Sequence, residues 1–461
     1  MADRTIDSNL TRRKFLVGLG AGAAGLALAA CAPAAAPAPT TAPAPTTAPQ
    51  ASGAFDWMQA KGQEVRFIGL KSAIEDYWEK TVPDFEKLTG IKMKFESYEQ
   101  AQARQKIATE LTAGTGTLDT FRTTRAQDFA QYWKNGWFEV LDPYIKDPKK
   151  ASPDLDLPDF FEGSLNSCKI DGKIVALPVI NGGQCLLVRK DLLEAKGLKA
   201  PTTFDELEKV AKALHNPPDV YGFVGRGQKS AAVSMFAVFL HNMGADWMGQ
   251  DGKTPSLNTP EAVEAYKYYG GLLKAYGPPG ITNMSHVELL PLFQQGKAAL
   301  YPDDLSFRSQ VEDKKASTVA GKVAYVNMPA GPKRNTPTIY VYGMALSSQS
   351  KHKDAAWLWT QYVGGKEYQI KAMAGGVAAG RKSGWEDPRA LADAPKDWVD
   401  TAKWTFEKGD DEWAPPVISV PEARDIVGLP ITVAIEGGDV KAACEKANSE
   451  LAALAKRDGV I

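Results

Sequence analysis

The chain reads as an α/β protein of two lobes, carried behind an export leader and a spacer. Three observations point there. From about Ala54 onward, short apolar runs alternate with amphipathic helical stretches. That body is roughly 400 residues, more than a single hydrophobic core usually serves. The first 53 residues have a composition of their own, and no fixed-period repeat suggests a solenoid.

The leader is the most restrictive segment. Arg12 and Arg13 precede a short apolar run from Phe15 to Ala30, the layout of a twin-arginine export signal. The run is short and rich in Gly and Ala, a poor membrane span. It ends in Leu28-Ala29-Ala30-Cys31, similar to the bacterial lipobox. Cleavage after residue 30 and acylation of Cys31 are expected. Residues 31–53 then form a Pro/Ala/Thr-rich linker, extended and semi-rigid. This places the body at the outer face of the cytoplasmic membrane, periplasmic or on the cell surface, lipid-anchored through Cys31.

The body's elements follow from local chemistry. Glu64–Gly69 reads as a strand, and a helix through Tyr77, Trp78, Phe85 and Leu88 ends at Gly90. Ile91–Phe95 is the next strand, 99–113 a helix closed by Gly114, Leu118–Phe121 a short strand, and 126–135 a helix. Thr203-Phe204-Asp205-Glu206 reads as a capping box, and Thr259-Pro260 as an N-cap followed by proline at the first helical position. Helices are also expected at 354–363 and 441–454. Asp171-Gly172 is a hairpin turn that sets Cys168 near Val175, so Cys168 and Cys185 are expected as buried free thiols. Repeated strand–helix units imply a parallel sheet covered on both faces.

Formal net charge is -1, and no basic stripe is visible, so nucleic acid is an unsuitable partner. The four histidines have no ligand partner at i+4, and no Gly-x-Ser-x-Gly elbow is present. No metal, cofactor or catalytic residue is expected. Asp303 and Asp304 could form an acid–base pair, which leaves an exported glycoside hydrolase as the alternative reading. Adjacent carboxylates in one turn more commonly serve as caps or solvated charge.

Five segments, in order, resemble the extracellular solute-binding proteins that feed carbohydrate ABC importers. They are 84–93 (DFEKLTGIKM), 172–178 (GKIVALP) with 188–193 (VRKDLL), 201–207 (PTTFDEL), 293–300 (FQQGKAAL) and 350–357 (SKHKDAAW) leading to Ala374-Gly375-Gly376. The resemblance implies a class II periplasmic-binding-protein fold, two doubly wound α/β lobes joined by crossing hinge segments. Crossings are then expected near Pro178–Gly183, Met328–Pro337 and Gly375–Arg381. One lobe would hold 54–179 and 337–375, the other 183–328 and 381–461. It also implies a carbohydrate ligand (a sugar, oligosaccharide or sugar alcohol), an ABC permease with its ATPase as partners, and a monomer.

In such a protein the ligand sits beyond the carboxyl ends of the parallel strands, between the lobes. That rule selects Lys71, then Tyr98 and Glu99, then Thr124 and Arg125 after the first three strands. At the first crossing it selects Asn181 and Gly182. In the second lobe the candidates are Arg226, Trp247, His286, Asp303 and Asp304, with Asp303 slightly preferred to Asp304. At the later crossings they are Tyr340, Tyr342, Gly376 and Arg381. Trp247 fits a ring stacked on a sugar face or a core aromatic beneath the loop equally well. Lys71, Arg125 and Arg381 fit ligand contacts, interlobe salt bridges or solvated rim charges. His286 suits a helix start better than a ligand contact. Mass spectrometry of the native amino terminus should find a diacylated or triacylated Cys31; a chain that begins at Met1 or Ala2 contradicts the anchoring.

Overall fold

The computed structural model describes residues 54–375 and 377–461; the leader, Cys31, the linker and Gly376 lie outside the described residues. Ten strands occur in the described chain: β1 Glu64–Leu70, β2 Lys92–Tyr98, β3 Thr120–Thr123, β4 Lys169–Ile170, β5 Lys173–Ile174, β6 Ala176–Arg189, β7 Tyr221–Phe223, β8 Ala298–Asp304, β9 Val323–Val326 and β10 Ile339–Leu346. Seven lie side by side in the order β2-β1-β3-β10-β6-β8-β7, and β9 also pairs with β6. No described helix is long and apolar enough to cross a membrane.

The sheet is mixed, not wholly parallel as the repeated strand–helix units suggested. Pairing is parallel at the two ends, β2-β1-β3 and β7-β8, and antiparallel where β10 and β6 run through the middle. The reason is β6. Its 14 residues, ALPVINGGQCLLVR, are buried at all but one position, the nearly continuous apolar pattern of a strand covered on both faces. Residues 176–183 of β6 pair with β10, and residues 184–189 pair with β8 and β9. One strand thus serves both halves of the sheet.

The first expected crossing is therefore extended strand, not a bend. Its glycines answer close approach. A Cβ on Gly183 would stand 2.7 Å from Thr405 Cγ2, and one on Gly182 would stand 3.0 Å from an Asp304 carboxylate oxygen. Beside the third crossing, the Asn181 N–H donates to Ala378 O at 3.1 Å.

Local elements follow their caps. Helix Ala73–Thr89 starts at Ser72, whose hydroxyl accepts from Ile74 N, and stops at Gly90 with φ 68°. Helix Gln100–Ala113 stops at Gly114, φ 64°. Helix Pro260–Tyr276 is capped by Thr259, and helices Lys353–Val363 and Val440–Arg457 fall where expected. At Thr203 only half of the capping box forms: its hydroxyl accepts from Glu206 N, but the Glu206 carboxylate turns to the N–H and hydroxyl of Thr202. The third strand begins two residues later than its apolar run. The helix after it opens as a π turn, Arg125–Phe129, before Ala130–Lys134. Asp128 accounts for that opening, because it accepts from Thr123 Oγ1 at 3.2 Å and Thr124 N at 2.9 Å. The Asp171-Gly172 turn joins β4 to β5, both residues at positive φ, and Val175 N donates to Cys168 O. Cys168 and Cys185 are buried and free.

Two aromatic-rich cores sandwich the sheet. One gathers Phe67, Trp78, Phe85, Trp357 and Trp359 beside β1. The larger one runs from Phe121 and Phe138 to Phe236, Tyr266, Tyr269 and the C-terminal helices.

Candidate functional site

A cavity of about 270 Å³ opens against the faces of β6 and β10. Ile180, Asn181 and Gly182 of β6 and Tyr340 and Tyr342 of β10 form its floor. Ile74, at the start of the first helix, approaches from the β1 half of the sheet. Asp304, Ser306, Arg308 and Ser309 approach from the end of β8, and Met373, Val377, Ala378 and Trp398 complete the wall. The lining is mixed: aromatic and aliphatic faces with a carboxylate, hydroxyls and an amide, the pattern of a small-solute pocket.

Its polar groups are held in set positions. Asp304 accepts from Ser306 N at 2.8 Å, and burial pushes its carboxyl up to about 6. Asn181 donates from its amide to Ser164 Oγ at 2.8 Å, and its amide oxygen is buried without a partner. The Arg122 guanidinium stands 4.4 Å from the Tyr342 ring centre and 2.7 Å from Glu75, both ions being buried. Burial raises the Glu75 carboxyl, and Arg122 opposes that rise. The Tyr340 hydroxyl donates to Ser234 O at 3.3 Å while its ring meets Trp413 edge to face at 6.0 Å. Arg308 lies 4.5 Å from the Trp398 ring centre.

Of the residues selected from the sequence, the cavity brings together Asn181, Gly182, Asp304, Tyr340 and Tyr342. The others stand elsewhere. Lys71 and Glu99 are exposed, and Glu99 occupies a helix N-cap without a side-chain bond. The Tyr98 hydroxyl donates to Glu96 at 2.5 Å, within an ion network that holds the Glu96 carboxyl at about 2 through its bond from Arg66. Thr124 is buried on Asp128. Arg125 donates to Lys169 O at 2.5 Å and faces Glu412 at 4.0 Å, beside a separate groove. His286 is the first residue of its helix and stacks on Phe307. Burial, chiefly, lowers its proton affinity. Gly376 lies outside the described residues.

Three readings need correction. Trp247 is 1% exposed, packs on Phe236 and donates its indole N–H to Glu412 O at 2.7 Å, so its ring serves the interior. Asp303 is fully buried in a two-pronged bond with Arg226, at 3.0 and 2.5 Å, so Asp304, not Asp303, faces the cavity. Consecutive strand residues point to opposite faces, which is why the two carboxylates do not meet over one substrate. Arg381 is 0% exposed and donates to Gly364 O, Leu155 O, Asp156 O and Asp159. It ties the third crossing to two loops instead of facing ligand.

Sequence reasoning passed over Ile74, Ser306, Arg308 and Trp398, and also the segment Asp410–Trp413. Asp411 there is 2% exposed, and neither carboxylate oxygen has a partner. Three acids and a tryptophan before Pro415-Pro416 are visible in the sequence, but nothing local says that they return to β10.

Comparisons with known proteins agree with this geometry. The model of the bacterial extracellular solute-binding protein family matches residues 71–370. The erythritol/L-threitol-binding protein of Mycolicibacterium smegmatis is 28% identical over 389 residues, 80% of each chain. The mannitol-binding protein of Pseudomonas aeruginosa is 27% identical over 296 residues, 62% of this chain and 66% of its own. Among solved structures, a solute-binding protein of Agrobacterium radiobacter in complex with ribitol superposes with a TM-score of 0.72 at 29% identity, covering 86% of this chain and 99% of its own. The sugar-binding protein MalE of Xanthomonas citri shares the fold with a TM-score of 0.75 at 20% identity, covering 86% and 98%. The glycoside hydrolase alternative finds no support among these relatives.

Replacing Arg381 with Ala should cost about 3–5 kcal/mol of stability, because three buried carbonyls and Asp159 lose a shared cation. Urea unfolding of the variant checks this. A loss under 1 kcal/mol contradicts the structural role. The match over residues 71–370 and the fold together place this chain in the bacterial extracellular solute-binding protein family.

Proposed function

We propose that the protein captures a small neutral polyol or sugar in the β6–β10 cavity and delivers it to an ABC permease, whose ATPase drives import. The observation that carries this reading is the cavity itself. It brings Ile74 from one half of the sheet and Asp304 from the other onto a floor of Tyr340 and Tyr342. About 270 Å³ lies near the lower end of the roughly 300–1,000 Å³ of ordinary ligand sites, which favours one short solute over an oligosaccharide. Three of the relatives are an erythritol/L-threitol-binding protein, a mannitol-binding protein and a solute-binding protein in complex with ribitol, and these ligands are all open-chain polyols.

In this reading Asp304 and Asn181 meet hydroxyl groups, and the tyrosine rings and Trp398 meet C–H faces. Gly182 leaves room beside Asp304. The lobes are 54–179 with 337–375 and 183–328 with 381–461, and they close on the ligand about the crossings. The leader and Cys31 support export and lipid anchoring; in this reading the protein works as a monomer without chemistry of its own. A ligand bridging two lobes stabilises the closed form by its differential affinity.

A thermal-shift screen of C4–C6 polyols and mono- and disaccharides tests the assignment. A hit should add about 2.7 kcal/mol at a hundredfold excess over Kd. Stabilisation confined to peptides, metals or inorganic anions overturns the polyol assignment, and turnover of a hit overturns the binding-only reading.

Asp304 supplies a second test. Its carboxyl keeps a proton to about pH 6 in the fold but only to about 3.9 in an unfolded chain. The folded state therefore binds the extra proton between those values, and stability falls as pH rises through that window. Asp304→Asn should raise ligand-free stability at pH 7.5 by about 3 kcal/mol, with the gain gone near pH 4. The same change should weaken ligand binding by tenfold or more. Unchanged affinity removes Asp304 from the site.

A further inference from the structure

A second cavity of about 270 Å³ lies on the outer side of the helices that wall the first. Helix Ala73–Thr89 gives Ile74 to the β6–β10 cavity, and Tyr77, Thr81, Asp84 and Leu88 to the outer one. Their spacing of four, three and four residues puts these side chains along one helix face. Helix Lys366–Ala374 is shared in the same way: Met373 lines the first cavity, and Tyr368 and Lys371 line the second.

Four rings run along the outer cavity. Trp57 meets Tyr362 edge to face at 6.3 Å, Tyr362 meets Tyr368 at 5.1 Å, and Tyr368 meets Tyr77 at 6.1 Å. Trp57, Tyr77 and Tyr362 are each half-buried, so part of each ring faces the opening. Among the described residues, the hydroxyls of Tyr77 and Tyr362 and the carboxylate of Asp84 are in no hydrogen bond; burial, with a smaller push from Asp84, raises the Tyr362 hydroxyl to about 12. Asp84, Asp154 and Glu367 face Lys366 and Lys371, so the rim carries both signs and little net charge.

Partly exposed aromatic faces, unspent hydroxyls and a balanced rim suit a ligand with C–H faces and hydroxyl edges. They do not suit an ion, which needs one sign of charge, or an aliphatic chain, which would leave the hydroxyls unpaired. We propose that this outer cavity is a second carbohydrate-binding site, taking one or two pyranose rings, free or at the end of a glycan. The proposal is independent of what the β6–β10 cavity holds.

Trp57 makes the site visible. In the full chain labelled with 15N-tryptophan, its indole cross-peak is identified by its loss in Trp57→Phe. Maltose should shift that peak saturably, and Asp84→Asn should weaken the response at least fivefold. Asp84 is exposed, so this variant should keep the parent's melting temperature. Lys366→Ala is a second rim variant with the same expectation. Co-sedimentation with insoluble amylose separates the sources: retention that Asp84→Asn abolishes assigns the site to glycan ends, whereas a maltose shift without retention assigns it to free sugar. A Trp57 peak that maltose leaves in place overturns the proposal. So does a shift that Asp84→Asn and Lys366→Ala both leave unchanged, because it then reports events in the other cavity.

Discussion

The pairing of β6 with β10 positions the floor of the β6–β10 cavity. Asn181 and Gly182 stand opposite Val341 and Tyr340, so the register that closes the sheet also sets the amide, the open space and the aromatic ring beside one another. Further along, the same β6 pairs with β8, Gln184 and Cys185 standing opposite Asp304 and Asp303. A one-residue slip would turn Tyr340 and Tyr342 away from the cavity and bring Val341 in. The buried run of β6 prevents that slip, since every residue after Gly182 is packed. Cavity floor and core are thus fixed by one strand.

Around that strand the chain spends most of its buried charge on structure. Arg226 holds Asp303, Arg122 holds Glu75, and Arg381 holds four acceptors across the third crossing. Buried pairs of this kind add little net stability over apolar packing, yet removing one partner is expensive. They fix geometry. Arg122 presses a charged plane on Tyr342, and Arg226–Asp303 fixes the end of β8 from which Asp304 projects. Asp304 is held differently: among the described residues no cation forms an ion pair with it, burial raises its proton affinity, and it lines the open cavity. An unpaired carboxylate kept at a cost in stability is a candidate for function.

Much of the fold was legible because its signals are local. Gly90 and Gly114 end their helices, Thr259-Pro260 begins one, and Asp171-Gly172 turns a hairpin. Each depends on backbone chemistry within a few residues. The cavity lining was legible where a rule about strand ends met the crossings, at Asn181, Gly182, Asp304, Tyr340 and Tyr342. It failed where identity depends on distant partners. Trp247 faces the interior because Glu412, 165 residues away, accepts its N–H, and Arg381 is buried by carbonyls of 155 and 156. Trp398 and Ser306 meet at the cavity through tertiary packing, with no pattern in the chain to announce it. The mixed sheet was missed for a similar reason: a strand shared by two halves reads locally as a Gly-containing loop.

The proposed function requires a solute that bridges the β1 and β8 halves of the sheet over β6 and β10. Small-angle X-ray scattering of the purified protein, with and without a saturating hit from the polyol and sugar panel, tests that most directly. A bridging ligand predicts a smaller radius of gyration in the bound state, with the change lost in Asp304→Asn at the same ligand concentration. Saturable binding with no change in the scattering curve, retained in Asp304→Asn, would contradict it.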